Sequence, residues 1–435
     1  MKESQPDVPG MNGIKREEYT AREILSRMTL REKVAQMMLV AFRSWKPEGS
    51  PDTPPTVRNE DSGAYNITAL NGRLRDSLRE NHYGGVILFS ENFHNAEQTV
   101  RLVSDMQEVN RSGGGVPLVL AVDQEGGAVS RIPFGTAGPG NKALSSTGNP
   151  ENARRMGAII GEELTLLGIH ADFAPVLDIN SNPRNPVIGS RAFSDDAGIV
   201  AEYGCAFLEG LHSTGRLSAV KHFPGHGDTD MDSHTGLPQI DLTLDALMER
   251  ELVPFRRAIV SGADMVMTAH IQYPKVEPGT CLSQKTGKPL FLPATMSRVF
   301  LTGLLRETLG FSGVIVTDSL YMAAVAKNFR PEDILRCAVN AGADLLILPY
   351  VRNEANLRLV EWMLEETVSL AECGEIDPRR IDESALRILR MKERHGLLGQ
   401  TDFAATNARI LAAKAGVGSS KHLHEARRIA EKARL

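Results

Sequence analysis

"LSAVKHFPGHGDTDMDSH", residues Leu217–His234, changes character part-way along its length. It opens as an unbroken apolar run, turns polar at Lys221 and His222, and continues as a glycine-containing loop rich in His and Asp. A strand with apolar residues at successive positions is one buried on both faces, as in a parallel sheet covered by helices. The same design recurs along the chain. Apolar runs stand at Val34–Phe42, Gly85–Ser90, Pro117–Val122, His170–Val176, Leu217–Phe223, Ala263–His270, Gly313–Asp318 and Asp344–Pro349. Helical periodicity fills the intervals, most clearly at Asn152–Leu167, Ala197–Ser213, Leu244–Val260, Ser297–Leu309 and Pro331–Ala341. Eight strand–helix units closing on themselves make an α/β fold of the (β/α)8 TIM-type barrel class. A doubly wound sheet is the competitor, but "PLVLAVDQEGG" lacks the glycine fingerprint of a dinucleotide-binding turn.

The bulk properties fit a single large domain. The chain has 435 residues, 42% hydrophobic and 24% charged, which suffices for a sizeable core. A formal net charge of −5 argues against a nucleic-acid partner or an anionic membrane surface. Cys205, Cys281, Cys337 and Cys373 fit no zinc or redox spacing and read as reduced. No apolar run is long enough to span a membrane, and "MKESQPDVPGMNG" has no signal-peptide core, so a cytoplasmic location is the default expectation, with a secreted form whose leader has been removed as the alternative. Residues 1–19 read as an extension, 20–398 as the barrel and 399–435 as a helical tail whose basic face is solvated. The proline-rich stretch 43–66 reads as a long loop after the first strand. The oligomeric state is left open, a monomer included.

In such a barrel the active site lies at the C-terminal ends of the strands. Polar residues gather there: Asp123, Lys221, His222, His270 and Asp318. Each alone has a structural alternative as a cap or loop brace. For Asp318, before "SLYMAAVA", the helix cap and a carboxylate facing a pocket weigh about equally on position alone. Asp232 and His234 are two apart, so in an extended segment they share a side. An aspartate beside a histidine sets its tautomer and stabilises its charged form. A solvated turn is the ordinary fate of such a pair.

Two chemistries compete for the loop. Its His and Asp residues offer ligands for a metal-dependent barrel hydrolase, but the first strand ends without a histidine and the aspartates match no calcium loop. Glycoside cleavage needs one group facing an anomeric carbon and another protonating the departing oxygen. Asp318 suits the first role. His234, oriented by Asp232, suits the second, because imidazole titrates near neutrality. No cofactor is required.

"KHFPGHGDTDMDSH", with "VDQEGGAVSRI" before it and "GVIVTDSLYM" after it, resembles glycoside hydrolase family 3, and within it the β-N-acetylglucosaminidase branch. "APVLDIN", "GSRAFSDD" and "SALRILRMKERHGLL" follow the same order, so the likeness runs from about Thr20 to Leu398. The resemblance implies a retaining, exo-acting β-N-acetylhexosaminidase, with a glycosyl-enzyme on Asp318 and a His234–Asp232 acid/base dyad. It further implies sugar contacts from Asp123, Arg131, Arg191, Lys221 and His222. The implied substrate is an oligosaccharide with terminal N-acetylglucosamine, such as a peptidoglycan fragment. A phosphorylase of the same glycosides and a sugar-binding protein without activity remain alternatives. His226 is expected to brace its loop, Asp178 to tie loops together, and His270 either to line the pocket or to sit in the core. Ala128 and Ser319 depart from the residues frequent at their positions, arginine and aspartate. The 43–66 loop is expected to border the site of the leaving group.

Overall fold

A computed structural model describes residues 20–47, 64–230, 236–399 and 402–433. Eight parallel strands form the barrel wall: β1 Met38–Lys46, β2 Gly85–Leu88, β3 Val119–Val122, β4 Ala171–Asp172, β5 Leu217–Phe223, β6 Met265–Thr268, β7 Val314–Val316 and β8 Leu346–Asn353. Neighbours in sequence are neighbours in space from β1 to β7, and β8 lies against β1. A parallel bridge between Val316 and Leu345 joins β7 to the start of β8. Thr317 N–H donates to Leu345 O at 2.9 Å, and Asp344 N–H to Ile315 O at 2.8 Å. Closure removes the free sheet edges.

The strands are buried except at the C-terminal ends of β1 and β8, and most of their buried residues are apolar, as a sheet with two covered faces demands. The helices Glu151–Leu167 and Ala197–His212 pack backbone to backbone. A Cβ on Gly210 would lie 1.8 Å from Arg154 O, so only glycine permits that approach.

Three boundaries differ from expectation. The first strand starts at Met38 rather than Val34, because Leu30–Gln36 is a helix. Thr29 caps it and Glu32 returns the bond to Thr29 N–H, a capping box written in "TLRE". At its other end β1 continues through Arg43–Lys46, and Tyr65–Asn66 pairs back antiparallel onto Ser44–Trp45. The 43–66 segment is therefore strand at both ends, and its centre, 48–63, lies outside the described residues. The fourth run pairs as a strand only at Ala171–Asp172 and resumes with the Val176–Lys221 bridge, interrupted where Pro175 has no N–H to give.

The tail forms two helices, Asn407–Gly416 and Ser420–Ala430, where one surface helix was expected. They dock on the barrel: Ile410, Ala413, Ala426 and Ile429 are buried. His422 is buried between Glu163 and Glu162, 2.9 Å from each. Periodicity reports an amphipathic helix but not what covers its apolar side. No described helix is long and apolar enough to cross a membrane.

Candidate active site

The strand ends enclose a cavity of about 360 Å³. Its apolar floor comes from Ile87 on β2, Phe173 just after β4, Met267 on β6 and Ile347 on β8. Its charged side chains at strand ends come from the odd strands: Asp123 after β3, Lys221 on β5 and Asp318 after β7. The four side chains of one barrel layer come from alternate strands, which separates dry floor from charged rim.

Four ionised groups are locked together on one side. Lys221 Nζ lies 2.7 Å from Asp123 Oδ1 and 2.7 Å from Glu125 Oε1. Arg191 grips Glu125 with both arms, Nε to Oε2 at 2.9 Å and a terminal nitrogen to Oε1 at 2.7 Å. Burial pushes the Glu125 carboxyl up, but Lys221 and Arg191 overcome this and hold it well below the carboxylate range. Burial lowers Lys221, and Asp123 and Glu125 more than restore it, so the ammonium stays charged. Truncating one partner of such a buried cluster leaves the others uncompensated.

The next side chain is steered from behind. His222 Nδ1 is 2.6 Å from Asp178 Oδ2, and Arg191 lies 3.5 Å from His222 Nε2. With Nδ1–H donating to the carboxylate, Nε2 is left as the acceptor toward the cavity. The other Asp178 oxygen takes the N–H groups of His222 and His226 at 3.2 and 2.7 Å. Asp178 is fully buried and outside the lining, and it ties loops together as expected while also setting one imidazole. His226 lines the wall and braces its turn through Thr229 Oγ1 at 3.2 Å. Burial lowers its pKa to about 4.

Asp318 also lines the cavity, just after β7. Ser319 N–H donates to its Oδ1 at 2.7 Å. Burial raises the carboxyl, but His270, His222, the Ser319 N–H and Lys221 together hold it below its ordinary value. The group is an ionised carboxylate in a low-dielectric pocket, braced by backbone at the position where aspartate was frequent. His270 does not line the cavity. It is buried beneath, with Nδ1 2.9 Å from Thr295 Oγ1 and Nε2 3.0 Å from Ser319 O, supporting the turn that presents Asp318. Arg131 reaches the cavity beside the Phe89 ring, 5.9 Å from its centroid. Ala128 is exposed at the hairpin turn, so a missing arginine leaves no buried gap there.

The cavity thus brings together Asp123, Arg131, Arg191, Lys221, His222 and Asp318 from the sequence-derived set. Asp232 and His234 fall in 231–235, outside the described residues, as does the C-terminal end of the candidate metal-binding loop. Among the described residues no three His, Cys, Asp or Glu side chains are grouped to hold a metal ion. Sequence reasoning passed over Glu125, although two residues after Asp123 in an extended segment is the spacing that returns a side chain to the same side. It also passed over the aromatic wall. Phe89 and Tyr350 meet edge to face at 5.0 Å, and the Arg43 guanidinium lies 4.6 and 4.7 Å from their centroids. No period marks that wall, because its members come from different strand ends.

Residues 29–391 match the Glycosyl hydrolase family 3 N terminal domain. The chain belongs to glycosyl hydrolase family 3. Beta-hexosaminidase A of Pseudoalteromonas piscicida is 37% identical over 364 residues, covering 82% of this chain and 59% of that protein, so this chain spans less than two thirds of that relative. A beta-hexosaminidase of Chromobacterium violaceum is 35% identical over 349 residues, covering 79% of this chain and 90% of its own length. Among solved structures, a glycoside hydrolase family 3 beta-N-acetylglucosaminidase from Paenibacillus sp. str. FPU-7 superposes with a TM-score of 0.79 at 35% identity, covering 93% of this chain and 69% of that one. In this family 3 chain, the barrel and the placement of polar groups at its C-terminal mouth follow the reading of the sequence.

Proposed function

We propose that this family 3 chain removes terminal β-linked N-acetylhexosamine from oligosaccharides with retention of configuration. The observation that carries the proposal is Asp318: an ionised carboxylate lining a cavity that hydrogen-bonding side chains also line. Beta-hexosaminidase relatives support the acetamido sugar as substrate. In the first step an Asp318 oxygen attacks C1 as the C1–O bond breaks, and His234 passes its proton to the leaving oxygen. In the second, water attacks C1, gives a proton to His234 and frees Asp318. Asp232 orients the imidazole and stabilises its charged form. Asp123, Arg131, Arg191, Lys221 and His222 hold the sugar hydroxyls and acetamido group, and the natural substrate is a peptidoglycan-derived fragment. The chemistry needs no cofactor.

Trapping tests this directly. A slow-turnover 2-acetamido fluorosugar is expected to add one sugar to the peptide containing Asp318, read by mass spectrometry after digestion. A label on another residue, or none with turnover intact, overturns the assignment. Adding phosphate to the same reaction separates hydrolysis from phosphorolysis by whether a sugar phosphate forms.

A further inference from the structure

Glu251 is a buried carboxyl outside the cavity lining, and one of its oxygens lacks a hydrogen-bond partner among the described residues. It lies where the Leu247–Glu251 turn meets the helix Leu252–Val260. Oε1 receives Arg250 at 2.7 Å. Oε2 accepts no bond from the described residues and lies at the turn after β5: a Cβ on Gly225 would stand 2.9 Å from it. Gly225 has φ +133°, which L side chains rarely adopt, so glycine is required there on two grounds. Two further ties hold the same turn. Arg250 reaches across to Asp228 at 2.8 Å, and the buried Tyr273 hydroxyl donates to Gly225 O at 2.6 Å. Burial pushes the Glu251 carboxyl up to about 7; Arg250 opposes this, and Asp178 and Asp228 add to it.

We propose that Glu251 is a positioning residue for the reaction, its carboxyl and the Arg250–Asp228 bridge together seating the Gly225–Asp230 turn that leads into Asp232 and His234. The inference rests on the proposed role of His234 as proton donor. The unpartnered oxygen is the reason to look past simple packing. A buried polar atom without a partner is costly, and a leucine or methionine would fill the same space without that cost. A protonated carboxyl fills it, still accepts from Arg250 at Oε1, and lies against Gly225 without charge. An ionised one places a negative charge near Asp178 and Asp228. Seating is therefore linked to the proton on Glu251, and Tyr273, Asp178, Asp228 and Arg250 are the groups that face it.

The test compares a substrate with a poor leaving group, an N-acetylglucosamine disaccharide, with an activated aryl glycoside that needs no proton. Glu251→Ala is expected to lower kcat on the disaccharide by about 10-fold or more and on the aryl glycoside by less than about 3-fold, in keeping with the size of general-acid effects. Glu251→Gln should recover most of the loss, since the amide keeps the volume and the bond from Arg250. Asp228→Asn, nearer the surface, should show the same selectivity in smaller measure and serves if Glu251→Ala does not fold. Equal losses on both substrates, or no loss on either in folded protein, overturn the inference. His234→Ala run alongside separates the two failures. If it is selective and the Glu251 and Asp228 variants are not, only the inference falls; if it is not selective, the acid role of His234 falls and the inference with it.

Discussion

The two ends of the barrel treat buried carboxylates in opposite ways. At the N-terminal end Asp344, just before β8, is wholly buried and saturated. It takes Arg306, Arg380 at 2.7 Å, Arg387 at 3.2 Å, Ser384 Oγ at 2.9 Å and Ile315 N–H at 2.9 Å. Asp264, before β6, is similarly engaged, with His395 Nε2 at 2.9 Å, His212 Nε2 at 3.0 Å and Ser218 N–H at 3.0 Å. At the C-terminal end Asp318 takes one hydrogen bond among the described residues, from Ser319 N–H, and keeps an oxygen for the cavity. Both Asp344 and Asp318 are held below the ordinary carboxylate value, against burial, by cationic or histidine neighbours. A lowered pKa therefore does not separate a stabilising carboxylate from a reactive one. An uncommitted oxygen that faces the cavity does.

Four measurements sharpen that contrast. Asp318→Asn should remove activity by about 10⁴-fold or more, the scale on which loss of an essential group acts, while thermal unfolding shifts little. A large loss of stability instead would put Asp318 in the same class as Asp344. His234→Ala comes next: about 10²- to 10⁴-fold on poor leaving groups and far less on activated ones, read from kcat on the two substrates. Asp344→Ala should invert the pattern. Stranding three arginines costs about 3–5 kcal/mol, seen as a lowered denaturant midpoint, with activity per folded molecule unchanged. A change in KM at intact stability would break the distinction between the ends.

The fourth measurement concerns Glu251. Its folded pKa of about 7 lies above the 4.5 of a free carboxyl, so the folded state binds the extra proton. Its contribution to stability is complete below about pH 4.5, declines as pH rises and is gone above about pH 7, at about 1.4 kcal/mol for each unit of separation between the two values. Subtracting the stability–pH curve of Glu251→Gln from that of the natural chain should expose this decline; a flat difference would show that the carboxyl titrates normally. His170 supplies the opposite sign. Burial lowers it to about 3, and its Nδ1 accepts from Leu120 N–H at 3.1 Å, so charging it in acid costs stability at the barrel wall.

Much of this was legible in one dimension. Apolar runs such as Val119–Val122 and Val314–Val316 announce strands buried on both faces, since a half-exposed strand alternates apolar with polar residues. Polar residues directly after those runs, Asp123 and Asp318, had to emerge at the C-terminal mouth. The misplaced start of β1 arose because Val34 and Ala35 are as apolar as the strand they precede; only the capping box of Thr29 with Glu32 distinguishes them.

Composition and order by themselves determined a closed α/β barrel and the polar residues at its mouth, because strand period and chain direction are local properties. Tertiary structure decided which charges consume one another, as Lys221, Glu125 and Arg191 do, and which stay available, as Asp318 does. Pairing of that kind depends on distances across strands far apart in the chain, and on how much water the fold excludes between them.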